Sequence, residues 1–72
     1  MKLTAAFARN LRVLRSRAGL TQEQLASLAG LDRNYIGKLE REGNSPTLDT
    51  IETLALALQV EIEMLITYAP PR

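Results

Sequence analysis

The helix start and stop signals between residues 21 and 41 limit the fold of this chain more than any other feature. Thr21 and Gln24 form a capping box, in which each side chain can bond the other residue's backbone N–H. These two residues begin a helix, and Gly30 ends it about two turns later. Asp32 is a good N-cap for another helix, which runs to about Arg41. The sequence therefore predicts two short helices joined by a tight turn.

Apolar periodicity predicts three more helices around this pair. The first runs from about Thr4, its N-cap, to Ala18. The fourth follows a turn at residues 42–46 and is capped by Thr47. The last covers about residues 61–68, and residues 69–72 form a tail. The apolar stripes of these helices are Phe7, Leu11, Leu14 and Ala18; Leu48, Ile51, Leu54, Ala55 and Leu58; and Ile62, Leu65 and Ile66. The predicted fold is all-α, a compact five-helix bundle in a single domain that spans residues 1–72.

Composition excludes several classes of protein. The 72 residues suit one small domain, and they include no Cys and no His. A disulfide framework and the usual zinc sites are excluded, and we expect no metal and no cofactor. A small chain without disulfides suits a reducing cytoplasm. No apolar run approaches a membrane span, and the N-terminus is a poor signal peptide. No nucleophile stands beside a base in a recognisable motif, so the sequence does not predict an enzyme.

Charge is divided unevenly along the chain. Residues 1–41 contain eight Lys and Arg against three Asp and Glu, a net charge of +5. Residues 42–72 contain one Arg against five Asp and Glu, a net charge of −4. Such a division suggests one surface for a polyanion and another that faces away from it, although solvated helix faces alone would also account for it.

The third predicted helix has two chemically different faces. At 100° per residue, Ile36 and Leu39 point to one side of the helix. A set of polar residues, with Gly37 between them, points to the other side. The polar set is Arg33, Asn34, Lys38 and Arg41. Arg and Lys can donate to guanine and Asn can pair with adenine in the DNA major groove. Two helices joined by a tight turn form a helix-turn-helix, whose second helix can enter that groove.

Several motifs in order resemble the phage-repressor (Xre or Cro) type of helix-turn-helix regulator. They are L-R-x-L-R-x-x-x-G-L-T-Q, Q-L-A-x-x-A-G, a third helix that ends in L-E-R, and S-P-T-L-x-T-I. The resemblance covers about residues 8–66, with the helix-turn-helix at about 21–41. It implies a lambda-repressor-like domain that binds a pseudo-palindromic operator as a homodimer and regulates transcription in a bacterial or phage-encoded system. The stretch L-D-R-x-Y-I also resembles controller proteins of restriction–modification systems.

The resemblance assigns DNA contacts residue by residue. It implies that Gln22 holds a phosphate and that the loop after the third helix follows the DNA backbone. Tyr35 has two interpretations, since its ring can pack at the core edge or its hydroxyl can meet a phosphate. The implied base-reading residues are Arg33, Asn34 and Lys38, and the implied backbone contacts are Gln22, Tyr35, Arg41, Asn44 and Ser45. The chain departs from its relatives at Glu42, where this loop is often basic, so the loop should bind phosphate more weakly.

Two further sets concern structure and assembly. The resemblance implies a partly buried ion pair between Arg15 and Glu40, which would tie the first helix to the third. The C-terminal third holds more apolar residues than a small core needs, which suggests a dimer face. That set is Leu56, Val60, Met64, Ile66 and Tyr68. The alternative is that the last helix only closes the core of the monomer.

Two protein-binding functions remain as alternatives to a stand-alone regulator. An antitoxin would bind a partner protein and repress its own operon, and a helical adaptor would have lost DNA binding. The retained Arg, Asn and Lys side chains on the third helix argue against an adaptor. Only A-P-P-R follows the predicted last helix, whereas antitoxins often carry a longer toxin-binding segment. Double-stranded DNA is thus the expected partner, with no membrane and no small-molecule ligand.

Overall fold

Five α-helices make up the fold of the computed structural model, which describes residues 3–68. They are α1 (Leu3–Arg17), α2 (Gln22–Ala29), α3 (Arg33–Glu40), α4 (Leu48–Leu58) and α5 (Ile62–Ile66). No strand occurs in this part of the chain, and the predicted all-α, five-helix fold is confirmed. None of the helices between residues 3 and 68 is long and apolar enough to cross a membrane. The predicted tail at 69–72 lies outside the described residues.

Local capping chemistry sets the start of the three central helices. The Thr21 hydroxyl accepts from the Gln24 N–H at 3.0 Å, and the Gln24 side chain accepts from the Thr21 N–H at 2.8 Å, which completes the capping box. Asp32 accepts from the Asn34 N–H, and Thr47 accepts from the Thr50 N–H. Gly30 ends α2 at φ +68°, in the left-handed region that glycine adopts readily.

The core is formed where the apolar faces of all five helices meet, but three residues of the predicted stripes, Ala18, Leu48 and Ile62, are exposed. Its fully buried large side chains are Phe7, Leu11, Leu25, Ile36, Leu39, Leu54 and Leu65. The helix α3 packs against both α1 and α2 and contributes two of these residues. The inner face of α3 is therefore fixed on two sides, which leaves its outer face in a defined position.

The two outer helices differ from their predicted limits. Thr4 is not an N-cap, because α1 is already helical at Leu3. The helix α5 ends at Ile66, two residues before the predicted end. The Asn10 amide of α1 donates to the carbonyl oxygens of Leu65 and Thr67, at 3.0 and 2.8 Å. These bonds replace those that another helical turn would have made, so α1 stabilises the early end of α5.

Two residues other than glycine adopt a left-handed backbone within residues 3–68. Glu42 has φ +62° in the turn after α3, and Gln59 has φ +59° at the C-terminus of α4. Gly43, the glycine of the first turn, is not among the positive-φ glycines. A side chain in this region carries a steric cost of roughly 1 kcal/mol, which glycine avoids.

Candidate nucleic-acid interface

The outward face of α3 presents polar side chains to solvent. Arg33, Asn34 and Lys38 are exposed, whereas Ile36 and Leu39 on the opposite face are fully buried. Asp32 fixes the first turn of α3 through its bond to the Asn34 N–H at 3.3 Å. The three predicted base-reading residues therefore lie together on one face of a helix whose other face is held in the core.

A buried carboxylate at the end of α3 joins three helices. Glu40 is only 5% exposed. Its Oε2 accepts from Arg15 Nε at 2.6 Å, and its Oε1 accepts from the Arg15 Nη2 at 3.1 Å. This bidentate geometry gives a charge-assisted pair that is stronger than an exposed ion pair. The structure thus places the predicted partners in direct contact, with α1 bonded to α3.

The hydrogen bonds that Arg15 donates to the Glu40 side chain raise the pKa of Arg15. The attraction of the carboxylate acts in the same direction, while partial burial acts against it. Since the folded pKa lies above the ordinary value, the stability contributed by the Arg15 charge is present below the ordinary guanidinium pKa. This contribution decreases as the pH rises through the raised value. The charge on Arg15 is consequently constant at neutral pH.

Two contacts of Glu40 go beyond the predicted pair. The Gln22 Nε2 donates to Glu40 Oε1 at 3.0 Å, and the Arg12 Nη1 donates to the Glu40 backbone oxygen at 3.0 Å. Both bonds join residues far apart in the sequence, so no local pattern signals them. The first of them fixes the side chain that was predicted to hold a phosphate.

The N-terminus of α2 opens into a polar depression. Its lining residues are Arg15, Thr21, Gln22, Glu23 and Arg33. Free N–H groups at the start of a helix, together with the helix dipole, favour an anion there. Gln22 and Arg33 share this depression, so the predicted phosphate contact and one predicted base-reading residue lie side by side. Glu23 also lines it and adds a negative charge that sequence reasoning did not consider.

Three of the remaining predicted backbone contacts follow the C-terminal end of α3, and the fourth, Tyr35, lies in its first turn. Arg41, Asn44 and Ser45 are all exposed. The Ser45 hydroxyl lies 3.3 Å from that of Thr4, which connects this loop to α1. Tyr35 is half-buried and packs against the core. Its ring therefore contributes to the core edge, and part of the residue remains in contact with solvent.

The predicted dimer residues divide into two groups. Leu56, Met64 and Tyr68 are exposed, at 74%, 46% and 53%. Val60 and Ile66 are half-buried and pack against the core of the same chain. The last helix thus closes the core through Leu65 and Ile66 and still leaves apolar side chains in solvent. Closure of the core by Leu65 and Ile66 is observed, whereas the dimer face stays a prediction.

We find no candidate metal centre in the part of the chain that the structure describes. No three His, Cys, Asp or Glu side chains between residues 3 and 68 lie close enough together to hold a metal ion.

The short helix α2 is joined by a tight turn to α3, whose polar face points outward. This arrangement defines a helix-turn-helix DNA-binding transcription regulator.

The chain belongs to the helix-turn-helix family HTH_3, whose model matches residues 11–65. It is 42% identical over 67 residues to the control protein C.SmaI of Serratia marcescens, covering 93% of this chain and 80% of that protein. The controller protein C.AhdI of Aeromonas hydrophila superposes with a TM-score of 0.83 at 45% identity, covering 86% of this chain and 94% of that one. These likenesses confirm the predicted family.

A second solved structure includes DNA. The restriction–modification controller protein C.Esp1396I, as a tetramer in complex with its natural 35-base-pair operator, superposes with a TM-score of 0.83 at 33% identity. The match covers 92% of each chain. These three relatives are control proteins, in agreement with the prediction of a regulator that is not an enzyme.

Proposed function

We propose that this protein binds a pseudo-palindromic operator as a homodimer, with α3 of each protomer in the major groove, and so regulates transcription. The exposed set Arg33, Asn34 and Lys38 carries the proposal, because it lies on a helix whose inner face is fully buried. A rigidly held helix presents hydrogen-bond donors and acceptors to base edges in one register. An unanchored helix with the same residues would discriminate poorly between bases.

Contacts to phosphates supply most of the affinity and set the register of the complex. Gln22 at the start of α2 and the exposed loop residues Arg41, Asn44 and Ser45 fill this role. Tyr35 adds a hydroxyl at the edge of the same surface. Each contact of this kind positions α3 without selecting a sequence, so base selection rests on Arg33, Asn34 and Lys38.

The proposed dimer joins protomers through the exposed apolar side chains Leu56, Met64 and Tyr68. An acidic C-terminal third suits a face turned away from DNA. A two-fold dimer would place two α3 helices about one DNA turn apart, which matches an inverted repeat. The operator complex of C.Esp1396I, a tetramer, shows that a relative assembles on DNA, and this supports an oligomeric regulator here. We place its action in the bacterial cytoplasm, on the nucleoid.

Selection of bound sites from a random duplex pool at near-physiological salt tests this function. The expected result is an inverted repeat whose half-sites are centred about one helical turn apart. Enrichment of no sequence at all would contradict the proposal and would favour the alternative, an antitoxin or another module that binds a protein partner.

A further inference from the structure

Gly37 occupies a crowded place on the DNA-facing side of α3. A Cβ atom at this position would lie 3.0 Å from Arg41 Nη1 and 3.7 Å from Gln22 Oε1. Two of the proposed phosphate contacts, the first residue of α2 and the C-cap residue of α3, therefore lie next to the one residue of α3 that has no side chain. Glycine inside a helix lowers the stability of the helix relative to alanine, so the residue carries a cost.

The helix geometry explains why Arg41 lies over Gly37. Side chains of a helix lean toward its N-terminus, and residues four apart share a face. Arg41 follows Gly37 by four positions and its N–H donates to the Gly37 carbonyl oxygen at 3.2 Å. Its guanidinium is in no ion pair among residues 3–68. The empty side-chain position thus lets the guanidinium lie close against the helix.

Gln22 is held from the opposite side. One N–H of its amide nitrogen is donated to the buried Glu40 Oε1 at 3.0 Å. An amide nitrogen has two N–H groups, so the second stays available for an acceptor. Gln22 is the first residue of α2, where an anion is already favoured. It thus keeps one N–H for a phosphate oxygen, while its amide oxygen is its atom nearest to the Cβ position of Gly37, at 3.7 Å.

We propose that Gly37 is a positioning residue, which allows Arg41 to join Gln22 in a clamp on a single DNA phosphate. The inference rests on the proposed function and deepens it. The Gln22 side chain is held by its hydrogen bond to Glu40. The Arg41 guanidinium can lie where it does only because Gly37 has no side chain. Glycine at position 37 therefore lowers stability and raises affinity for DNA.

The variants Gly37→Ala, Arg41→Ala and the double variant test the clamp. Ser27→Ala, at an exposed position of α2, is the matched control for added helix propensity. Thermal unfolding and binding to both the selected operator and a mixed-sequence duplex are measured, the latter over a range of salt concentrations. A phosphate contact acts on any sequence, so both duplexes report on it.

Gly37→Ala should raise the unfolding temperature by about 4 °C or more, because alanine favours the helix. It should weaken binding about tenfold, the order expected for one charge-assisted hydrogen bond. The slope of log affinity against log salt should fall in magnitude by about 1 per half-site. Arg41→Ala should weaken DNA binding by a similar factor. Adding Gly37→Ala to Arg41→Ala should weaken DNA binding no further.

Unchanged affinity in a folded Gly37→Ala variant would overturn the clamp while leaving the proposed function in place. Additive losses in the double variant would overturn it too. If Gly37→Ala does not fold, full native affinity of Arg41→Ala decides against the clamp. A native chain that selects no operator, but loses duplex binding in these variants as described, would contradict the proposed function and support the clamp.

Discussion

Gln22 donates its side-chain N–H to the buried carboxylate of Glu40 at 3.0 Å, across eighteen positions of sequence. The same carboxylate accepts two bonds from Arg15. The residue proposed to hold a DNA phosphate is therefore part of the network that holds α1, α2 and α3 together. The Glu40 side chain thus contacts both a residue of the fold's ion pair, Arg15, and a residue of the proposed DNA-binding surface, Gln22.

Glu40→Ala should lower the free energy of unfolding by about 3–5 kcal/mol, since it leaves the Arg15 charge without its partner. It should also weaken DNA binding, because the Gln22 side chain loses its fixed position. Urea denaturation gives the first quantity. Glu23→Ala, an exposed carboxylate at the start of α2, is the control and should change stability by less than about 1 kcal/mol. Equal effects of the two variants would contradict a structural role for Glu40.

Glu42→Gln should strengthen binding to DNA about two- to fivefold, because it removes a negative charge beside the phosphate-facing loop. The gain should shrink as salt is added. Glu52→Gln, on α4 in the acidic part of the chain, changes net charge equally and should have little effect. Titration of labelled duplex at two salt concentrations measures both variants. A similar gain from Glu52→Gln would mean that net charge alone is responsible.

Gln59→Gly should raise the free energy of unfolding by about 0.5–1 kcal/mol, because glycine adopts the left-handed backbone at the end of α4 without steric cost. DNA affinity should not change. Gln59→Ala is the control, since alanine has the same strain and should give no gain. Chemical denaturation distinguishes the two, and a gain from alanine would show that strain at φ +59° is not the cause.

Leu56→Lys should weaken the proposed dimer at least about tenfold, because it places a charge in an apolar contact. Sedimentation equilibrium over a range of protein concentrations measures the dissociation constant. Leu28→Lys is the matched control, an exposed leucine on α2 that lies outside the proposed interface. A native chain that stays monomeric, or an equal effect of Leu28→Lys, would contradict the proposed dimer face.

Sequence reasoning succeeded where the signal is local. The starts of α2, α3 and α4 follow from the N-cap residues Thr21, Asp32 and Thr47. Apolar periodicity also identified much of the core, because each stripe reports on its own helix. The outward position of Arg33, Asn34 and Lys38 follows from the same periodicity.

Features that depend on distant contacts could not be predicted in this way. The early end of α5 is set by Asn10, more than fifty positions away. The bonds from Gln22 and Arg12 to Glu40 likewise join separate helices. The left-handed residue of the turn after α3 is Glu42, although composition there favours Gly43. Each of these features is determined by the packing of the helices, which no local sequence pattern predicts.

Site selection from a random duplex pool, with Arg33→Ala beside the native chain, tests most directly whether α3 reads DNA bases. The matched control is Arg17→Ala, which removes the same charge from the last turn of α1. We predict that Arg33→Ala loses base preference at one position of each half-site, with discrimination reduced by about 1–3 kcal/mol. Arg17→Ala should leave the selected sequence unchanged. Identical sequence preferences for the native chain and Arg33→Ala would contradict base reading by this residue.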